Sequence, residues 1–268
     1  MVATSLPITS IGLLARKILS AAYSAAILGI TSRGVFFKID TRWVIFLSYE
    51  HYCGPLTLNI AHAIRTPLNI DPVLPIKIHP DAIVIPDANI YLLIQDAKDS
   101  IISPHPIRVF NQKEIIHRIK SVSQEILARR GGTGLTSLLV DLLQLPFPRQ
   151  SFQPNALSIN IQQFQKDLMS PNMEQVASDM QKVIGLGSGL TPSGDDLISG
   201  FLLTCGRYED VLPLPYKLAQ LNQAMIDLAY QKTSLLSANL IECATLGQAD
   251  ERLILDRKST RLNSSHRT

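Results

Sequence analysis

The feature that most constrains this fold is a change of hydrophobic period near residue 111. From Gly34 to about Phe110 the chain carries short runs rich in Val, Ile, Phe and Tyr, separated by Pro, Asp, Asn and Gly, which is typical of β-strands. After Asn111, apolar residues recur at steps of three and four, the period of an amphipathic helix. Strands first and helices later predict an α+β chain with a β-rich N-terminal half and a mainly helical C-terminal half.

The same pattern predicts the individual elements. An apolar stripe between Leu14 and Ala25 predicts an N-terminal amphipathic helix. Ser20, Tyr23 and Ser24 interrupt that stripe, which favours a helix over a secretory signal. The predicted strands are VFFKI, WVIFLSY, PLTLNI, AIVIP, IYLLIQ and IRVF. The predicted helices are one that contains the apolar residues from Ile115 to Leu127 and runs to about Arg130, LTSLLVDLL, one through Phe164, one from about Met173 to Ile184, DDLISGFLLTCGRY, KLAQLNQAMIDLAYQK and SLLSANLIECATLG.

These elements divide the chain into an N-terminal helix plus β-rich domain (1–110), a mainly helical domain (111–256) and a tail (257–268). The tail, RKSTRLNSSHRT, lacks apolar periodicity, and it resembles translated adapter sequence or a natural disordered extension. It carries four of the 25 Lys and Arg residues and no acid, so the formal charge of +3 belongs to it. We therefore expect no nucleic-acid or membrane partner.

Cysteine and histidine usage excludes several familiar sites. Three cysteines, Cys53, Cys205 and Cys243, form no C-x-x-C pair, and we expect buried thiols in a reducing cytoplasm. The histidines show neither H-x-x-x-H nor H-E-x-x-H spacing, so a histidine-based zinc site is not predicted, and His51 and His62 are expected to be surface or satisfied core residues. The single tryptophan, Trp43, is expected in the core.

The stretch GLGSGLTPSGDD at residues 185–196 interrupts the helical half. Glycines at 185, 187, 189 and 194 allow positive φ, and successive N–H groups at a following helix N-terminus can hold an anion. The spacing matches neither a P-loop nor a dinucleotide fingerprint. The predicted substrate or anion ligands in this stretch are Gly187, Ser188, Gly189, Leu190, Thr191, Ser193 and Gly194.

Two adjacent acids follow the glycines. Asp195 and Asp196 are the predicted catalytic residues, acting as a base, orienting a substrate amide or holding a divalent cation such as Mg²⁺ or Mn²⁺. One carboxylate can face a pocket while the other braces the loop, and simple helix capping remains the alternative. Thr191 or Ser193 is the expected N-cap of the following helix, and Gly200 within it suggests close approach of another backbone.

Two further segments are candidates for the same site. Thr233 and Ser234 open a later helix and are predicted to reach the anion site, with capping and packing as the alternative. GGTGLTS at 131–137 echoes the glycine stretch, either as a second anion loop or as helix C-cap glycines.

The run GLGSGLTPSGDDLISG at 185–200 closely resembles the signature of the AllH family, the oxamate carbamoyltransferase subunit. Looser similarity covers GPLTLNI at 54–60 and the segment from Thr233 to Ser237. The resemblance implies work with two partner subunits, one FdrA-like, to convert oxalurate and phosphate into oxamate and carbamoyl phosphate during anaerobic allantoin or purine breakdown. It also implies that family members continue beyond residue 256 with a further helix entry that this chain lacks.

Two rival hypotheses remain open at the level of sequence. In the first, the chain is a non-catalytic subunit that binds an anion as a scaffold or sensor. In the second, it is a carboxylate-processing enzyme of another pathway. An anion site of unknown purpose is all that the residues support without the resemblance.

Overall fold

The computed structural model describes residues 4–61, 68, 70–100, 112–130, 138–143, 145, 156–209, 214–251 and 253–254. The chain forms two compact units. Unit 1 combines Met1–Ser103 with Leu235–Arg257, and unit 2 combines Pro104–Ser234 with Lys258–Thr268. The predicted α+β class, with strands in the first half and helices in the second, is confirmed.

Unit 1 is built on a sheet that closes on itself. The strands follow the order β5-β4-β3-β2-β6-β7-β8-β1-β9, and β1 also pairs antiparallel with β5, which joins the two sides of an eight-stranded barrel. The strands are β1 (Thr4–Gly12), β2 (Ser24–Thr31), β3 (Gly34–Ile39), β4 (Trp43–Ser48), β5 (Thr57–Ile60), β6 (Ile76–His79), β7 (Ala82–Ile85), β8 (Ile90–Leu93) and β9 (Lys98–Ser100).

Strand β1 closes the barrel because its two halves have different neighbours. Its first residues pair in parallel with β8 and its last residues with β9, while Ile8 lies opposite Ile60 of β5 on the other side. The enclosed core consists of aliphatic and aromatic side chains from successive strands, including the fully buried Phe37, Leu47 and Leu58. Closure leaves no long unpaired edge between β1 and β5.

The N-terminal region differs from its prediction. The first helix, α1, spans Leu13–Ala21, and the segment after it is strand β2, which contains Ala25. The predicted helix therefore extends too far toward the C-terminus. Alanine occurs in both helices and strands, and Ala25 lies in a strand because β2 pairs with β3. Strands β1, β2, β6 and β9 were not predicted. The triplet Lys98–Ser100 of β9 is polar and becomes a strand through its pairing with β1.

Helix α8 (Leu235–Thr245) belongs to unit 1 and packs on β4. Its buried Asn239 accepts the Val44 N–H at 2.6 Å and donates to the Arg42 carbonyl at 2.8 Å, so one amide satisfies the strand backbone. The sequence pattern places this helix in the predicted helical domain, residues 111–256. Trp43 at the start of β4 is half-buried, and the Arg42 guanidinium lies 5.5 Å from its ring centroid.

Unit 2 is helical in its described part. Its helices are α2 (Gln112–Arg130), α3 (Leu138–Leu143), α4 (Ala156–Asp167), α5 (Met173–Gln181), α6 (Ser193–Arg207) and α7 (Leu218–Lys232). Helix α5 packs against α4 and α7, and the buried side chains on these three helices include Ile161, Met180 and Met225. The long helix α2 is confirmed. Of its predicted apolar stripe, Ile116 and Ile119 are exposed, whereas Leu127 is fully buried.

Several predicted features lie outside the described residues. They are the strand IRVF, the second glycine segment 131–137, the proline-rich linker at 146–154, His62 and the tail. Among the residues that the structure does describe, no helix is long and apolar enough to span a membrane.

Candidate functional site

The glycine loop, residues 182–192, connects α5 to α6 within unit 2. Gly185, Gly187 and Gly189 adopt positive φ angles of 79°, 123° and 102°, which confirms the conformational reason for glycine at these positions. Residues 187–190 are exposed, whereas Gly194 and Asp195 are buried. The loop therefore has a fixed base and an open tip.

Close backbone contacts fix the base of the loop. A Cβ on Gly194 would lie 2.1 Å from the Val183 carbonyl oxygen, and the Gly194 N–H donates to the Leu186 carbonyl at 2.9 Å. A Cβ on Gly187 would lie 2.7 Å from the Ser193 nitrogen. By contrast, no atom of the described residues lies within 4 Å of a Cβ on Gly189. A ligand therefore has room at Gly189, whereas Gly187 and Gly194 are explained by contacts with the backbone of residues 183–193, and Gly185 by the Lys232 carbonyl of α7, 2.8 Å from its Cβ position.

Asp195 braces the loop. Its carboxylate is buried, Oδ1 accepts the Gly185 N–H at 2.7 Å, and Oδ2 accepts the Thr233 hydroxyl. Both oxygens thus hold protein groups that are ten and 38 residues away along the chain. This arrangement ties the start of the loop, the first turn of α6 and the end of α7 into one network.

Asp196 takes no part in this hydrogen-bond network. The residue is exposed, and its carboxylate forms no hydrogen bond or ion pair with any described residue. Partial desolvation, together with the negative charge of Asp195, raises the pKa of the Asp196 carboxyl above its ordinary value. Among the two acids, Asp196 is therefore the one available to a substrate.

The predicted capping residues do not cap. Pro192 occupies the N-cap position of α6 and provides no side-chain hydrogen bond, and Ser193 is already the first helical residue. Thr191 lies one residue before the cap position, so neither of the two predicted hydroxyls serves as N-cap. The orphan donors of the helix are met instead by backbone, as in the bond from Gly194 to Leu186.

The tip of the loop presents unsatisfied donors. Within the described part of the chain, the N–H groups of Gly187, Ser188 and Gly189 have no hydrogen-bond partner. The Leu190 side chain is 70% exposed, and its carbonyl accepts the Ser234 hydroxyl at 2.7 Å. Thr233 and Ser234 therefore contact the glycine loop, and their hydroxyls are engaged by the Asp195 carboxylate and the Leu190 carbonyl.

Gly200 was predicted to mark the close approach of another backbone, and this prediction is wrong. Nothing lies within 4 Å of a Cβ placed on Gly200, whose carbonyl accepts the Thr204 hydroxyl at 2.8 Å. The packing of α6 against α4 runs instead through Phe201, whose ring meets that of Phe164 edge-on at 5.2 Å.

An ion pair joins the last turn of α5 to the first residue of the loop. Lys182 Nζ lies 2.7 Å from Oδ1 of the buried Asp179, and Gln175 donates to Oδ2 at 3.3 Å. Burial alone raises the pKa of Asp179, but these hydrogen bonds and the lysine charge outweigh it, so the pKa is lowered. The carboxylate therefore stays charged and anchors the residues that lead into Gly185.

Two cysteines are buried and one is half-buried. The prediction of buried thiols is confirmed for Cys205 and Cys243 but is wrong for Cys53. Burial raises the pKa of the Cys205 thiol to about 11 and also raises the pKa of the Cys243 thiol, which disfavours the thiolate of both. Cys53 instead lies beside His51 and Glu251 in unit 1, where the three metal-binding atoms are all within 4.8 Å of one another. Sequence spacing did not reveal this cluster, because Glu251 is 198 residues away from Cys53.

Unit 1 also contains an open cleft of about 350 Å³ between α1, β4 and α8, with Lys17, Asp40 and Glu242 among its lining residues. None of the predicted site residues lines it.

The glycine loop with its two acids lies at the start of a segment that known proteins share. Residues 183–265 match the family model of the oxamate carbamoyltransferase subunit AllH. The AllH match contains the glycine loop from Gly185 onward, together with α6, α7 and α8, and it confirms the resemblance over this segment. GPLTLNI at 54–60 lies outside the AllH match. No curated protein and no solved structure matches the chain significantly.

Proposed function

We propose that this chain is the AllH-type subunit of an oxamate carbamoyltransferase, and that its glycine loop binds an anionic substrate. The AllH match carries the proposal, because it begins at residue 183 and so includes the loop, both acids and the Thr233–Ser234 corner. The exposed N–H groups of Gly187, Ser188 and Gly189 support it, since such donors at the N-terminus of a 15-residue helix favour anions.

In the proposed reaction, a phosphate oxygen attacks the carbamoyl carbon of oxalurate and forms the new C–O bond. The bond from that carbon to the oxamate nitrogen breaks, and the nitrogen takes up a proton, giving carbamoyl phosphate and oxamate. Both substrates are small anions, and the charge that develops on the carbamoyl oxygen needs donors as well. Alignment and oxyanion stabilisation are therefore the main demands on the protein.

The two acids take different roles in this proposal. Asp195 positions the loop, because both of its oxygens accept hydrogen bonds from the protein. Asp196 contacts the substrate, accepting a ureido N–H or moving the proton that the leaving nitrogen requires, and its raised pKa suits such a transfer near neutral pH better than an ordinary aspartate.

A divalent cation bridging both acids fits this geometry poorly. With the Asp195 oxygens engaged, Asp196 is the one carboxylate of the pair that an Mg²⁺ or Mn²⁺ ion would find available. Of the described residues, no three-residue metal-binding group includes either acid. We therefore assign no step of the reaction to a metal.

The proposal requires partner subunits, one FdrA-like and a second carbamoyltransferase subunit, and a cytoplasmic setting. Three free cysteines are consistent with a reducing compartment.

Reconstitution tests the proposal. The chain is combined with its partner subunits, and carbamoyl phosphate formed from oxalurate is coupled to ATP production through carbamate kinase and ADP. We expect turnover to require both phosphate and this chain. Turnover of equal rate without this chain would overturn the proposal.

A scaffold role is the second candidate, and the engagement of Asp195 in purely structural bonds favours it. In that case the complex would still need the chain, but replacing Asp196 or Gly189 would leave its turnover unchanged. Titration of the isolated chain with oxalurate, oxamate and carbamoyl phosphate distinguishes an anion-binding scaffold from one that binds none of them.

A further inference from the structure

The segment between β4 and β5, HYCGP at residues 51–55, is held in place by side-chain hydrogen bonds within unit 1. The buried Asn59 side chain accepts the Tyr52 N–H at 2.8 Å and donates to the Tyr52 carbonyl at 3.0 Å. The same amide donates to the Ser10 hydroxyl at 2.9 Å, so it joins this segment to β1 as well. The backbone on either side of Tyr52 therefore has one fixed position.

Glu251 is brought to this segment by two reciprocal hydrogen bonds. The Cys53 N–H donates to Glu251 Oε1 at 3.0 Å, and the Glu251 N–H donates to the Cys53 carbonyl at 2.8 Å. Asp250 caps the short turn that follows, because its Oδ1 accepts the Leu253 N–H at 3.1 Å. The backbone contact sets the position of the glutamate independently of any metal.

We propose that His51, Cys53 and Glu251 form a divalent metal site that takes zinc. Cys53 Sγ lies 3.7 Å from His51 Nε2, and all three metal-binding atoms lie within 4.8 Å of one another. Sulfur and nitrogen bound to one tetrahedral zinc ion are about 3.6 Å apart, from bond lengths near 2.3 and 2.05 Å. The cysteine and histidine are therefore already at ligand spacing, and the glutamate needs a shift of about 1 Å.

The choice of zinc follows from the donor types. One thiolate, one imidazole and one carboxylate suit a borderline ion such as Zn²⁺, whereas Mg²⁺ and Ca²⁺ prefer oxygen ligands alone. Three protein ligands leave a fourth position for water or for another small ligand.

The surroundings of the Cys53 sulfur favour a metal over a catalytic thiol. The Ser100 hydroxyl lies 3.8 Å from Cys53 Sγ, and the carboxylate of Glu251 is held beside the thiol by its hydrogen bond from the Cys53 N–H. A thiolate and a carboxylate placed side by side repel each other without a cation. A bound dication removes that repulsion and makes both groups ligands, which supports a metal over cysteine catalysis.

Cobalt titration tests the site. The full-length chain without an affinity tag is stripped with a chelator and titrated with Co²⁺, then with Zn²⁺ in competition. We expect one equivalent of Co²⁺ to give a thiolate charge-transfer band and tetrahedral visible bands, and Zn²⁺ to displace it. If Co²⁺ gives no thiolate band with the wild-type chain, the proposal is wrong.

Variants assign the ligands. We expect His51→Ala, Cys53→Ala and Glu251→Gln each to weaken binding at least about tenfold, while the matched variants His79→Ala, Cys205→Ala and Glu50→Gln leave it unchanged. Binding by Cys53→Ala that equals wild type would overturn the assignment. His51 is exposed, so its variant keeps the fold and decides the question even if Cys53→Ala does not fold. No substrate is present in this experiment, so its outcome is independent of the proposed transferase activity.

Discussion

The glycine loop of unit 2 and the His51–Cys53–Glu251 cluster of unit 1 reach a defined geometry in opposite ways. The loop is one continuous stretch, and contacts of its own backbone fix its base. The cluster joins two neighbouring residues to a third that is 198 positions later, through the fold of unit 1. A continuous loop can be recognised from sequence, whereas an assembled cluster cannot. The loop should therefore be sensitive to added side-chain atoms, and the cluster to loss of a single side chain.

The largest expected effect comes from adding one methyl group at the base of the loop. In Gly194→Ala the new Cβ would overlap the Val183 carbonyl, and we expect a loss of at least about 3 kcal/mol in unfolding free energy. In Gly189→Ala the new Cβ has room, so we expect the unfolding free energy to fall only by the backbone strain of a positive φ, about 1–2 kcal/mol. Denaturant unfolding followed by the helical circular-dichroism signal measures both, and equal losses would contradict the division into base and tip.

Asp195→Ala should have the next largest effect. The change leaves the Gly185 N–H and the Thr233 hydroxyl without their acceptor, and we expect a loss of about 2–4 kcal/mol together with loss of turnover. Thr233→Val removes one of the two bonds and should cost about 1–2 kcal/mol. Glu174→Gln, which alters an exposed acid in the first turn of α5, is the control. If Asp195→Ala unfolds at the wild-type midpoint, Asp195 is not a brace.

Zinc should stabilise unit 1 in particular. Its single tryptophan, Trp43, makes fluorescence a selective probe of this unit. At a free Zn²⁺ concentration 100 times the dissociation constant, we expect about 2.7 kcal/mol of added stability. At the same Zn²⁺ concentration the gain should fall to about 1.4 kcal/mol or less in His51→Ala, because its binding is at least about tenfold weaker, and it should persist in His79→Ala. A gain of equal size in both variants would show that zinc acts elsewhere.

The smallest effect on stability is expected for Asp196→Asn. Because the pKa of the Asp196 carboxyl is raised on folding, the folded chain holds more protons than the unfolded chain above pH 3.8. Stability therefore falls as pH rises through the raised pKa, and the wild type carries this penalty at neutral pH. We expect Asp196→Asn to be at least as stable as wild type at pH 7, with the difference vanishing below about pH 3.8.

Turnover measures the catalytic role of Asp196 separately from its effect on stability. Asp196→Asn should lower phosphate-dependent turnover of the reconstituted complex by at least about 100-fold if the carboxylate moves a proton. Unchanged turnover in a stable variant would support the scaffold role instead.

Much of the fold could be predicted because its signals are local. Strand β3 carries the β-branched and aromatic run VFFKI, and helix α7 shows the helical period in KLAQLNQAMIDLAYQK; both form as predicted. The glycine loop was also recognisable, since positive φ at Gly185, Gly187 and Gly189 is what those residues supply.

The remaining features depend on pairing that a single sequence does not display. Strand β9 is a polar triplet that exists because β1 is beside it, and Ala25 lies in a strand because β3 pairs with it. The role of Asp195 depends on Thr233, which is 38 residues away. Hydroxyl caps at Thr191 and Ser193 were predicted from composition, but the helix begins one residue too early for Ser193 to act.

The division of the chain has a consequence during synthesis. Unit 1 is discontinuous, and roughly 130 residues of unit 2 are translated between its two pieces. At about 5–20 residues per second, the ribosome needs roughly 10 s to pass through this insertion. During that interval the nascent barrel lacks α8, and so β4 lacks the Asn239 amide that satisfies its backbone. His51 and Cys53 likewise gain Glu251 as a neighbour only after residue 251 has left the exit tunnel, so the His51–Cys53–Glu251 cluster is among the last features of unit 1 to form.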